Sequence, residues 1–480
     1  LYDYYTDAPA GTGGSTDAYS NTMRIYQKVY GRVQAQYMRS FNQHNLNVTA
    51  VAELNSTRRD ELSGSRQYSE LFTNDILNQA SPGTATNSGY RSFGRLAAYL
   101  MRANYDYAGK YLLEVVGRYD GSYRYAPSRR WTFFPSVSAG WRLSEESFIK
   151  DNLPFITNLK IRGSFGQSGY DAGNPFQYLP SYTGYNGYVI SSDGKFTNGF
   201  TNSGLVNREL TWVTSKTINL GVDLTLWDGK LDFSADIYRR DREGLLTTRA
   251  NSLPNTFGAS LPQENLNSDR NQGFEFMIGH SGSVNDFRYS VSGNMNIGRW
   301  QVIYSERAPF KSSYDRWRNS NINRWGDIGW GYKVIGQYQN YDQIRNGVIE
   351  TTKFGNSKTL PGDYIHQDTN GDGVINDKDQ LPDFFTGQPK LNFGINFNAS
   401  YKGFDFTMLW QGAGMYSLRY GEILGEVLAN NYANSPSFYY DRWHLEDIYD
   451  PNSEWIPGKY PAARRTNDDN GANRLESDIR

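Results

Sequence analysis

Residues 217–227 read TINLGVDLTLW, and their alternation constrains the fold more than any other feature of the chain. Ile218, Leu220, Val222, Leu224 and Leu226 share one face of an extended strand, and Thr217, Asn219, Gly221, Asp223 and Thr225 share the other. Successive side chains on a strand point to opposite sides, so a period of two means that one face meets an apolar phase and the other a polar one. The next segment repeats the pattern, with Leu231, Phe233, Ala235 and Ile237 against Asp232, Ser234, Asp236 and Tyr238. Asp228 and Gly229 lie between the two and predict a two-residue hairpin turn.

The alternation recurs in about a dozen segments, near 24–38, 44–54, 91–105, 110–122, 132–142, 158–168, 217–227, 229–241, 272–280, 286–298, 390–401 and 404–412. Many run to ten residues or more, about twice the usual globular strand and long enough to cross a bilayer at a tilt. The links alternate between short, such as Lys402–Gly403, and long, such as 299–389. Outer-membrane barrels have that asymmetry, with short periplasmic turns and long outer loops. The expected fold is therefore all-β, a transmembrane antiparallel β-barrel whose polar face lines a lumen and whose apolar face meets lipid. A large β-sandwich or propeller is the competing reading, and strand length and regularity weigh against it. The whole of 1–480 is expected to be part of one barrel domain, with further strands on both ends of the natural chain. One short-side link, 143–157, carries Ser144, Glu145 and Glu146, which predict a capped helical turn.

Composition agrees. Hydrophobic residues make up only 38 %, a level that in a soluble chain points to disorder, but aromatics reach 15 %, with 37 Tyr, 25 Phe, 11 Trp and 48 Gly. Cysteine is absent, which excludes disulfides and thiolate metal sites. A net charge of -1 gives no basic footprint for nucleic acid. No run of 18 apolar residues predicts a transmembrane helix. The opening LYDYYTDAPAGTGGS lacks a Met, a basic region and an apolar run, so it does not read as a signal peptide.

Within 299–389 lies DTNGDGVINDKDQ, with the spacing of a calcium loop. Asp368, Asn370 and Asp372 stand at positions 1, 3 and 5, Gly373 at the sharp turn, Val374 at the carbonyl position and Asp379 at position 12. Hard cations need several oxygens converging on one point, and the spacing supplies them; a metal-free polar turn is the alternative. Pro361 and Pro382 flank the loop, so the helices of a calcium sensor are not expected. Asp in place of Glu at position 12 predicts modest affinity, suited to a calcium-rich exterior. The expectation is a structural calcium brace in an extracellular loop.

Aromatics crowd the long links, and Tyr185, Tyr188, Trp330, Tyr440 and Trp443 are candidate stacking surfaces for a solute. They serve equally well as loop packing or as part of an interfacial girdle. No catalytic constellation emerges: the four histidines, His44, His280, His366 and His444, have no zinc spacing and no serine partner motif. The chain is not expected to be an enzyme.

At this point the residues resemble a known family. Residues 210–246, 253–260 with 265–276, 362–380, 118–148 and 387–415 look like barrel segments of SusC/RagA-type TonB-dependent outer-membrane transporters, in the expected order. The resemblance implies a barrel of about 22 strands with an N-terminal plug, a SusD-like surface lipoprotein as lid, energy from the TonB complex, and import of oligosaccharides or peptides. It implies the outer membrane of a Gram-negative bacterium. The plug, the TonB-contacting segment and the last strands have no counterpart in these residues. The calcium-type loop carries over at Asp368, Asn370, Asp372, Val374 and Asp379; substrate residues do not. A siderophore or cobalamin receptor, a membrane-embedded hydrolase barrel and a secreted sugar-binding β protein are the alternatives.

Overall fold

Each alternating segment is a strand. The computed structural model describes residues 18–67, 76–189, 196–249, 260–350, 355–418 and 435–463, with isolated positions at 2–3, 8–9, 194 and 256. Twelve strands form the path of one sheet. They are β1 (Ala18–Phe41), β2 (His44–Gln67), β3 (Thr86–Tyr107), β4 (Tyr111–Ser122), β5 (Trp131–Arg142), β6 (Ile156–Tyr170), β7 (Val213–Leu226), β8 (Leu231–Thr248), β9 (Gln263–Val284), β10 (Phe287–Tyr304), β11 (Leu391–Tyr401) and β12 (Phe404–Gly414). The order in the sheet follows the order in the chain, and neighbours pair antiparallel. Such a meander places every connection at one of two rims. Among the described residues β1 and β12 each have a strand on one side only, so the sheet is an open wall.

Two adjacent cross-strand rows show why the sheet is two-faced. Val48, Ala103, Val115, Val137, Phe165 and Ile218 lie in register across β2 to β7. One residue away, Asn47, Asn104, Glu114, Ser138, Ser164 and Asn219 lie in register on the opposite face. Two residues along β7 and on the same face, a second apolar row runs through Leu220, Ile237, Phe274 and Ile297 across β7 to β10. Leu220 and Ile237 are more than half exposed, at 54 % and 53 %. A continuous band of exposed aliphatic side chains is a surface made for lipid.

Aromatic girdles bound the band. Tyr107, Tyr111 and Trp141 stack at the short-turn rim, with ring centroids 6.3 Å apart in each successive pair. Tyr99, Tyr119 and Trp131 stack at the other level, at 5.9 and 5.0 Å. Tyr111 and Tyr119 lie on the same strand; at ~3.4 Å per residue their separation is about 27 Å along it, or about 21 Å of membrane normal at a tilt of ~40°. That matches the apolar band of an outer-membrane barrel and places the interfacial aromatics where the lipid headgroups lie.

Several expectations need correction. The strands run well past the alternating segments: β1 and β2 each have 24 residues and β9 has 22. The first residues of 299–389 belong to β10, which ends at Tyr304, and most of 242–271 is strand in β8 and β9. The Asp228–Gly229 turn spans four residues, 227–230, with Trp227, Asp228 and Gly229 all at positive φ (52°, 55° and 86°). In the 143–157 link, helix Ser147–Lys150 is preceded by Glu146 and has no side-chain cap, so Ser144 does not cap it.

Candidate functional site

The long-link rim carries a folded platform built from 305–350, 355–390 and 435–463. Asp327 fixes its base. Arg299, near the end of β10, donates two 2.8 Å hydrogen bonds to the Asp327 carboxylate, and Lys390, just before β11, lies 3.2 Å from it. Asp327 and Lys390 are buried. Burial pulls the Asp327 carboxyl upward, but the bonds from Arg299 and Lys390 outweigh it and hold the group below its usual range. Lys390 is pushed down chiefly by burial, against the attraction of Asp327. Both shifts fit one picture: burial opposes each charge, and only Asp327 has two cations to compensate.

The calcium-type loop sits within this platform as a closed turn. Gly371 and Gly373 take positive φ, 73° and 79°, which lets the backbone wrap around a point. Asp368 accepts 2.7 Å bonds from the N–H groups of Gly371 and Gly373. The Gly373 bond is the main reason that its carboxyl lies below the usual range. Asn370 Oδ1 accepts from the Asp372 N–H, and Asp372 Oδ1 from the Val374 N–H, both at 2.9 Å. Val374–Ile375 pairs parallel with Ile349–Glu350, tying the loop to its neighbour. Asp379 is fully buried and faces inward; it accepts bonds from the Asn376 N–H at 2.8 Å and from the Thr369 N–H and hydroxyl at 3.0 and 3.2 Å.

The structure therefore brings Asp368, Asn370, Asp372, Val374 and Asp379 into one loop. Among the described residues no group of three or more His, Asp or Glu side chains is arranged as a metal cluster. The donor chemistry is all hard oxygen, which fits Ca²⁺. Asp379 is occupied as a clamp on the loop's own backbone, as its short side chain allows.

The aromatic candidates separate into three situations. Trp330 lies edge to face with Trp317 at 4.9 Å, with Arg318 over its ring at 4.2 Å and Arg324 at 5.5 Å. Guanidinium groups hold its ring, which points to loop packing. Trp443 is buried, and a Cβ on Gly362 would lie 2.2 Å from its ring. Tyr440 is 83 % exposed. Tyr185 and Tyr188 fall on the strand Tyr182–Val189, which pairs with Phe196–Asn202, and their side chains lie outside the described residues. Sequence reasoning missed the Arg318 and Arg324 contacts, although DRWRNSNINRW already interleaves arginine with tryptophan.

Below the platform the polar face forms two recesses. One, of about 560 Å³, is lined by Asn47, Glu114, Lys160, Arg162 and Asn219 among others. The other, of about 800 Å³, is lined by Asp236, Glu275, Asn296, Asn392 and Gln411 among others. Arg162 joins them: it donates two 2.6 Å bonds to Asp236 on β8 and bonds of 3.1 and 3.2 Å to Asp223 on β7. A fork of that geometry fixes three strands to one another.

With this geometry in place, residues 1–456 match the family described as TonB dependent receptor-like, beta-barrel. The chain belongs to that family. A TonB-dependent receptor P3 from Formosa agariphila is 29 % identical over 458 residues, covering 91 % of this chain and 43 % of the relative. TonB-dependent receptor SusC from Bacteroides thetaiotaomicron is 28 % identical over 324 residues, covering 67 % of this chain and 31 % of that protein. The chain thus spans less than half the length of these relatives. Among solved structures, the RagAB peptide transporter matches with a TM-score of 0.68 at 16 % identity, over 94 % of this chain and 48 % of that one. That likeness fixes the fold. The family's barrels are outer-membrane proteins, and these relatives are receptors rather than enzymes.

Proposed function

We propose that the natural protein imports large polar solutes, oligosaccharides or peptides, across a Gram-negative outer membrane, and that this chain is most of its barrel wall. Family membership supplies the class. The observation that carries the reading is the paired rows: a polar inner row from Asn47 to Asn219, backed by a lipid-facing row from Val48 to Ile218. A wall hydroxyl- and amide-rich on its inner face can exchange hydrogen bonds with a hydrated solute at every level. In this reading a SusD-like lipoprotein covers the platform, and the TonB complex, acting through regions beyond these residues, displaces a plug from the lumen. The relatives named SusC and RagAB support the lid.

Calcium belongs to the same proposal as a brace. Asp368, Asn370, Asp372 and the Val374 carbonyl would hold it, and it would supply a fixed point to a loop otherwise held by hydrogen bonds alone.

The experiment is growth. A strain lacking the full-length gene should fail on the one oligosaccharide or peptide mixture that the wild type uses as sole carbon source, and should recover on complementation. Loss of iron or cobalamin uptake instead, with growth on polymers intact, would replace this reading by a siderophore or cobalamin receptor.

A further inference from the structure

The short-turn rim carries a side chain that neither the lumen nor the platform accounts for. Phe148 stands 55 % exposed on the single helical turn Ser147–Lys150 of the 143–157 link. The backbone around it is fixed. The Ile149 and Lys150 N–H groups donate to the Glu146 carbonyl at 3.0 and 2.8 Å, and the Leu153 N–H donates to that of Ile149 at 2.8 Å. Asn152 Nδ2 donates to the Phe148 carbonyl at 3.1 Å. A hydrogen-bonded turn thus holds a phenyl ring in the open.

What lies beside that ring follows from Glu146. Tyr111 and Trp141 belong to the girdle on the lipid-facing side of the wall, and Glu146 ties the link to both. Its Oε1 accepts from the Tyr111 hydroxyl at 2.8 Å and from Trp141 Nε1 at 3.1 Å, and Lys110 reaches Oε2 at 3.4 Å. These bonds, that of Tyr111 first, hold the Glu146 carboxyl below its usual range. The link therefore passes the rim on its lipid side, at the level of the headgroups, and Phe148 follows two residues later. The row of exposed rings goes on to Phe155 and Trp227, which stack at 6.5 Å. The charges suit the same place. Lys110, Arg142 and Lys150 are matched by Glu145, Glu146 and Asp151, with Arg142 and Lys150 3.2 and 3.3 Å from Glu145. A rim without net charge fits a zwitterionic phospholipid headgroup and exerts no pull on an acidic or a basic protein. Apolar rings on a short polar segment at that level are the make-up of an interfacial anchor.

We propose that the 143–157 link is a membrane foot of the wall. Phe148 is seated in the periplasmic leaflet, between phospholipid headgroups and the first acyl carbons, and Glu146 is the positioning residue that holds the foot to Tyr111 and Trp141.

The test uses the full-length transporter in intact cells, with p-benzoylphenylalanine in place of Phe148 and irradiation before purification. Mass spectrometry of the labelled peptide should show a phospholipid adduct. Glu146→Ala should lower that adduct severalfold, because the foot loses both girdle bonds. Glu146→Gln keeps a carbonyl oxygen for the Tyr111 and Trp141 donors and should restore most of it. A role of Glu146 in folding alone would not divide the variants in this way, and heat-modifiable gel mobility checks that each barrel is folded. A second measurement needs no label. Phe148→Trp, in vesicles of phosphatidylcholine brominated near the headgroup, should add tryptophan fluorescence that the bromines quench. A label that reacts only with protein or with nothing, a lipid adduct unchanged by Glu146→Ala, or added fluorescence that the bromines leave intact overturns the foot. None of these readouts involves a solute, so the import proposed above is judged separately.

Discussion

Arg299 grips Asp327 with both ends of its guanidinium, two bonds of 2.8 Å from Nε and Nη2 to the two carboxylate oxygens. A barrel strand thereby holds a loop by a planar, charge-assisted fork. Lys390, just before β11, closes the arrangement at 3.2 Å, with its ammonium 3.2 Å from the centre of the Phe385 ring.

Asp327→Ala should therefore release the base of the 305–390 platform. It leaves Lys390 buried beside an unpaired Arg299, a loss of about 3–5 kcal/mol for a broken buried pair. Limited proteolysis should cut 305–390 faster while the barrel keeps its heat-modifiable mobility. The pH dependence follows in sign. A carboxyl whose folded pKa is depressed stabilises fully above its ordinary value and loses that contribution as pH falls through the folded one. Wild-type loop protection should thus persist at neutral pH and fade only in acid, and Asp327→Asn should lack that acid transition.

Asp372→Ala should disorder the calcium-type loop and leave the barrel folded. A chelator should expose the same cleavage sites in the wild type, and added Ca²⁺ should protect them again. Proteolysis of 305–390 that is identical with and without chelator would count against a calcium brace.

Gly362 is a contact point between the two long-link segments. It has φ of 91°, and a Cβ there would meet the Trp443 ring at 2.2 Å. Gly362→Ala combines a left-handed backbone with overpacking, together on the order of 2–4 kcal/mol. Hydrogen exchange should quicken in both 355–366 and 437–460, and tryptophan fluorescence should shift red as Trp443 becomes wet.

Neighbouring residues 219 and 220 test the two faces. Leu220→Arg places a charge in lipid and should destabilise the folded barrel by about 2–4 kcal/mol near the midplane, measured by urea unfolding in vesicles. Asn219→Arg, one residue away, should change stability far less. Equal effects would contradict the assigned faces.

These faces were legible in the sequence because each meets a different phase. Where both meet water the signal vanishes: 55–67, NSTRRDELSGSRQ, has no apolar alternation, yet it continues β2 in register with β1 and β3. There the ladder is held by polar cross-strand pairs such as Arg24 with Glu61 at 2.8 Å and Ser20 with Ser65 at 2.9 Å. The calcium-type spacing was legible because it is local. The inward turn of Asp379 was not, since it depends on a 3₁₀ turn whose cap, Asn376, receives the Lys378 N–H while Asp379 receives its own. Nor did the sequence separate buried Trp443 from exposed Tyr440, because burial of the first depends on distant Gly362.

The unequal strand lengths have a consequence for what can approach the lumen. β3 pairs with β4 only from Tyr107 back to Leu96, so residues 86–95 stand above the end of β4. Ten residues at ~3.3 Å each make a step of about 33 Å along the strand. β1 and β2 share that height, whereas β4 and β5 have 12 residues each. The mouth is thus notched, with a parapet beside a low sill. Above the step, residues 86–95 pair with β2 on one side and with no sheet strand on the other among the described residues.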